Sequence, residues 1–292
     1  MARVAVQLTN FTGGELSPRL DGRNDLAKYS SGCSTLENLV VYPHGSAARR
    51  PGTNFVAEVK DSTKKTRLIP FEFSTTQTYM LEFGDQYIRF YKDNGQILSS
   101  GSPYEITSPY LEAELFDIKF AQSADIMYIT HPSHKTRKLS RTGHTSWTLA
   151  EVDFTNGPFL DSNITSTTLT PSAAATGSRT ITASAVTGIN GGSGFLTTDI
   201  GRQIHFNSGY GTITGRTNTT VVTVNVTVAF ANANAITNWY LGAFSDTTGH
   251  PSCVTFFEQR LVFAGTTNQP QTIFFSKSGD YENMDANIGG TV

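Results

Sequence analysis

Three histidines, His131, His134 and His144, fall in a short stretch that also holds Lys135, Arg137, Lys138 and Arg141. Imidazoles are common metal ligands, but a metal centre needs several donors converging at fixed spacing. His131-Pro132-Ser133-His134 offers two rings across a turn, and neither cysteines nor a carboxylate cluster stand beside them in the sequence. The pattern therefore predicts a solvated turn and strand, with no metal and no cofactor. The same cations, together with Lys64, Lys65 and Arg67, are candidates for lining a path along nucleic-acid phosphates.

Paired carboxylates offer a second chemistry. Glu112 with Glu114, or Glu15 with Asp21, has the residue types for acid–base cleavage of a glycan. Nothing in the sequence fixes their separation, and exposed charge is the ordinary state of such groups. No Gly-x-Ser-x-Gly elbow, phosphate-binding Gly-Lys-Ser/Thr loop or dinucleotide fingerprint is present. The chain is not read as an enzyme.

The elements that position these residues are strands. Of 292 residues, 38% are hydrophobic and only 16% charged, with 19 Phe and 11 Tyr. Gly, Ser, Thr and Asn fill the difference, a composition of short strands and frequent turns. The net charge of −2 argues against a dedicated nucleic-acid binder but not against a protein that DNA passes. Two cysteines, Cys33 and Cys253, make no disulfide framework and point to a reducing compartment of synthesis. The N-terminus has no signal-peptide pattern and no window is apolar enough to span a membrane, so no membrane insertion by this chain is expected. The sequons at Asn10, Asn163, Asn218 and Asn225 are read as chance in a Thr-rich chain.

Residues 67–98 set the pattern for the rest. Ile69, Phe71 and Phe73 alternate in a first strand, Tyr79, Leu81 and Phe83 in a second, and Ile88 and Phe90 in a third. The turns fall at 74–77, at Gly84-Asp85 and at Asp93-Asn94-Gly95. The same meander recurs over 118–152 and 254–276, and its Phe residues, including Phe256, Phe257, Phe263, Phe274 and Phe275, are read as core. The first two modules start one four-stranded blade apart, roughly 45 to 50 residues. The second interval is almost three times the first, which predicts an insertion.

The predicted fold is all-β: an incomplete β-propeller of four-stranded meanders, with an inserted small β-barrel or sandwich and one short N-terminal helix. Residues 1–66 hold a strand over 3–9, a Gly-rich segment, a helix whose face is Leu26, Tyr29, Cys33 and Leu36, and a hairpin over 39–52. Residues 67–159 are blades, with a second short helix over 110–116. Residues 160–238 are the insertion, nearly free of charge and carrying the β-branched run 221–228. Residues 239–292 are a further blade.

These residues resemble a known family. Asn10-Phe11-Thr12-Gly13-Gly14-Glu15-Leu16-Ser17-Pro18-Arg19, followed by Ala48-Arg49-Arg50-Pro51-Gly52, is similar to the start of tail nozzle proteins of short-tailed bacteriophages, also called tail tubular protein B. The runs 120–132, 239–244, 249–251, 256–261 and 281–283 extend the likeness. Within the insertion, 199–204 and 209–213 resemble the small barrel first named in ubiquitin-activating enzymes, FCCH-like, taken as a shared shape and not as ubiquitin chemistry.

The resemblance implies a virion structural protein, assembled in the host cytoplasm. It implies a hexameric ring below the portal and adaptor that retains the genome and conducts DNA during ejection. Its partners would be further copies, the adaptor, other tail proteins and the DNA itself. Phe11, Gly13, Gly14, Leu16 and Arg19 are the expected docking residues toward the adaptor or a neighbour, and Lys135, Arg137, Lys138 and Arg141 the expected channel lining. Family members are usually longer, so the chain reads as their N-terminal part. The competing reading is a tail-associated protein that binds or cleaves glycans.

Overall fold

A computed structural model describes residues 8–74 and 76–285. The expected strand over 3–9 and Thr75 of the expected 74–77 turn fall wholly or mostly outside them. Among the described residues there is no α-helix; strands are joined by turns and short 3-10 segments. The chain divides into two units, Met1–Val56 and Ala57–Val292.

The first unit is held by backbone pairing. Gly14–Glu15 runs parallel to Gly32–Cys33, and Leu39–Val41 forms an antiparallel hairpin with Ala47–Arg49. Of its described residues only Gly45 is buried. The helix expected around Leu26, Tyr29, Cys33 and Leu36 is absent. In its place stand the 3-10 turn Tyr29–Ser31 and the extended Gly32–Cys33. Two causes act together. Ser30 and Ser31 direct their hydroxyls to the carbonyls of Ala27 and Lys28, competing with helical backbone bonds. Gly32 lies so close to Leu16 that a Cβ there would meet its Cγ at 2.5 Å. The helix expected over 110–116 is likewise only a 3-10 turn, Glu112–Glu114.

The second unit contains three successive meanders. The first joins Arg67–Ser74, Gln77–Gly84, Tyr87–Lys92 and Glu105–Thr107 in that spatial order. The second joins Lys119–Ser123, Ile126–His131, His134–Gly143 and Ser146–Glu151, and the third Cys253–Phe257, Arg260–Ala264 and Ile273–Phe275. The first two share one core, with Trp147 at its centre: its ring stacks on Phe90 at 4.5 Å and meets Phe71 edge-on at 4.8 Å. A second cluster joins Tyr128 of the second meander to Leu261, Phe263 and Phe274 of the third.

Not every aromatic read as core is buried. Phe73, Phe257 and Phe275 are exposed. A bulge between Glu72 and Ser74 interrupts the alternation at Phe73, and neighbours in a strand face opposite sides, so Phe256–Phe257 and Phe274–Phe275 each send one ring outward.

The insertion is a curled six-stranded sheet. Its order is Leu169–Pro171, Gly177–Ala183, Val221–Val228, Gly209–Arg216, Gln203–Phe206 and Trp239–Leu241. Leu169 and Ile236 exchange backbone hydrogen bonds of 2.9 and 3.0 Å, which draws the two ends of the sheet together. Trp239–Leu241, grouped with the last segment by sequence, is thus an edge strand of this sheet. The sheet has its own core, including Ile204, Phe206, Val222, Val224 and Trp239. At its foot Phe159 bridges Gly242, and the Leu160 N–H donates to Leu241 O at 2.8 Å.

Candidate functional site

The connection from the first meander to the second, residues 108–118, is pinned to both. On the first side, Ser108 N–H donates to Gln86 O, Gln86 N–H to Tyr110 O, and Glu112 N–H to the Asp85 carboxylate. Arg67 Nη1 donates to the carbonyls of Leu115 and Ile118 at 2.8 and 2.7 Å. On the second side, Glu114 meets His134, with Oε2 and Nε2 2.9 Å apart.

His131 and His134 are the closing pair of a hairpin whose turn is Pro132-Ser133. Residues paired in this way send their side chains to the same face of a sheet. Their ring centres are 5.0 Å apart, and Tyr110 packs against both, at 6.1 and 5.3 Å. One ring nitrogen of each histidine and a carboxylate oxygen of Glu114 lie within 4.8 Å of one another. The expected solvated turn is therefore corrected at its first residue. His131 is 3% exposed, its Nδ1 accepts the Ser133 N–H at 3.1 Å, and its Nε2 is buried without a hydrogen-bond partner.

The electrostatics follow from the packing. Burial, and then the neighbouring His134, push the His131 pKa down, so its ring is neutral at pH 7. Burial alone would raise Glu114, but the Leu111 N–H on its carboxylate and the His134 ring outweigh it and hold the group below its ordinary value. Burial raises the Tyr110 hydroxyl, which is also without a partner. Such a cluster can bind a cation or fix a turn, and both carboxylates of the 112–114 turn accept hydrogen bonds. Glu112 accepts the Lys65 N–H at 2.9 Å, and Glu114 is engaged as above. Sequence alone missed Glu114 as a partner of the histidines because the contact spans two elements.

The four expected channel residues sit on one long strand, His134–Gly143, and each has a carboxylate partner, whereas Lys64, Lys65 and Arg67 lie outside that strand. Lys135 and Arg137 meet Glu151 at 3.2 Å, Lys138 meets Glu282 at 2.6 Å, and Arg141 meets Asp125 at 3.2 Å. Arg141 also lies over the exposed Phe73 ring at 4.1 Å. His144 is separate from the other two histidines in its contacts: its Nδ1 is 2.7 Å from Tyr79 OH.

In the first unit, Phe11 N–H donates to Gly45 O, Gly13 N–H to Ser31 O and Leu16 N–H to Cys33 O. Gly14 has a positive φ of 68° and Arg19 is exposed. Cys33 and Cys253 are both free thiols. Among the described residues, no helix is long and apolar enough to cross a membrane.

Comparison of the sequence with protein-family models and with curated proteins returned no match.

Proposed function

We propose that the chain is a structural subunit of a short-tailed bacteriophage tail, of the nozzle type. In this reading the three meanders are blades of an incomplete propeller, and the curled sheet is a small barrel set into it. Copies form a ring below the portal and adaptor that retains the genome and conducts DNA at ejection. The sequence likeness at 10–19, 48–52 and 120–132 supports it.

The observation that carries it is the edge of the third meander. Among the described residues, Ile273–Phe275 pairs on one side only, with Arg260–Ala264, and Ile273 and Phe275 are exposed. An unpaired strand with outward apolar side chains is a template for association. An open groove of about 750 Å³ lies beside it, lined by Phe159, Tyr240 and Arg260 among others. A ring is built from a head-to-tail contact that closes, and this edge is the natural half of one.

Lys135, Arg137 and Arg141, on one side of their strand, are proposed to face the lumen, whereas Lys138, on the opposite side, pairs with Glu282. Glu151, shared by Lys135 and Arg137, and Asp125 beside Arg141 offset most of this charge, so the wall would let DNA slide without holding it. Phe11, Gly13, Gly14, Leu16 and Arg19 are proposed to dock on the adaptor. Electron microscopy of the purified chain mixed with its adaptor tests the reading. Six-fold rings that seat on the adaptor are expected; a monomer indifferent to the adaptor would overturn it.

A further inference from the structure

We propose that Glu114, His131 and His134 hold a divalent metal ion of the zinc class. The donors are two imidazoles and one carboxylate, a set that zinc accepts with a further position left to solvent. They come from two elements that the fold has already fixed. The hairpin pairing places the two rings side by side, and the Leu111 N–H, 2.8 Å from Oε2, orients Glu114 toward them. All three donor atoms fall within 4.8 Å of one another, so small side-chain rotations bring them to coordination distance.

A second observation points the same way. His131 is almost wholly buried, yet its Nε2 has no hydrogen-bond partner. A buried polar atom without a partner is costly, and native structures retain few of them. An ion on the cluster would satisfy it. Glu114 and His134 each keep 23% side-chain exposure, which leaves a route from solvent.

Binding would leave a specific mark. Nδ1 of His131 now accepts the Ser133 N–H, which places the proton of the neutral ring on Nε2. Coordination through Nε2 requires that proton on Nδ1, so the Ser133 contact must break. The proton that His134 shares with Glu114 must move as well. The occupied site would staple the 108–118 connection to the second meander, locking the first two sheets together.

The test uses the full chain, stripped with a chelator and titrated with zinc chloride by calorimetry. Cobalt(II) serves as an absorbing substitute. The expected result is about one ion per chain, a raised melting temperature and a shifted Ser133 amide resonance. A His131→Asn/His134→Gln double variant and a Glu114→Gln single variant should each bind at least tenfold more weakly. The double variant also controls for adventitious binding at the other histidines. Absence of binding by the native chain overturns the proposal, as does equal binding by the folded double variant. Should the double variant fail to fold, Glu114→Gln decides, because its amide still offers an acceptor to His134. Unchanged zinc affinity in that variant would sink the idea.

Discussion

Arg202 is the largest fully buried side chain among the described residues, and its fate rests on three acceptors. Its Nη1 donates to Asp199 at 2.9 Å and Asn190 at 2.8 Å, and its Nε to Gly242 O at 2.7 Å. Burial lowers its pKa and Asp199 opposes that. Removing one partner of a buried pair strands the other charge, so Asp199→Ala should cost about 3–5 kcal/mol in urea unfolding.

Glu105 is a milder case. Burial would raise its pKa, but hydrogen bonds from Lys60 and Arg89 outweigh that and depress it. A depressed carboxylate stabilises the fold above its unfolded pKa, and that contribution is lost as pH falls through the folded value. The side chain is about a third exposed, so only ~0.2–1 kcal/mol is at stake. Glu105→Gln should flatten the loss of stability below roughly pH 4.3, read from urea midpoints against pH. Phe73 shows where residue-scale reading stopped. Its alternation pointed inward, but the bulge beside it has no signature in a Ser-Thr-Thr turn, and the ring ends under Arg141.

At the scale of elements, the turns were the most legible part. Asp93 and Asn94 both have positive φ, as do Glu258 and Gln259, and Asn207 and Ser208. Two such residues match the twist of a tight hairpin, so polar pairs between apolar strands reveal it. The strands of the first meander followed from turns of this kind. The absent N-terminal helix shows the opposite. Apolar spacing was satisfied, but the competing serine hydroxyls and the close approach at Gly32 decided the conformation. Glu114 beside the histidines was illegible for another reason: a contact between two sheets' connections leaves no periodic trace.

Gly211 gives an element-scale test. It sits at a bulge between Gly209–Arg216 and Val221–Val228, where a Cβ would meet Asn225 O at 2.5 Å and Val226 Cα at 2.8 Å. Those are backbone atoms of the partner strand and cannot rotate away. Gly211→Ala should cost about 1–3 kcal/mol, measured by thermal melting followed by circular dichroism.

At the scale of the molecule, the two units make unequal claims on stability. The unit from Ala57 onward has three buried clusters, whereas the described part of the unit up to Val56 has no buried hydrophobic residue. A segment that buries little apolar surface has little to set against its conformational entropy. A chain of residues 57–292 should therefore melt cooperatively by itself, and a peptide of 1–56 should not. Calorimetry of the two pieces checks this. Retained cooperativity in 1–56 would remove the need for the partner surface proposed above.

The clamp at Phe159 and Gly242 also has a mechanical consequence. The chain enters and leaves the inserted sheet through neighbouring, antiparallel positions that share backbone hydrogen bonds. Tension along the polypeptide would pass across those few bonds before reaching the sheet, which stays unloaded until they open. In a pulling experiment the insertion should extend as a separate, later event once that gate yields. The three meanders could then carry strain while the inserted sheet keeps its shape.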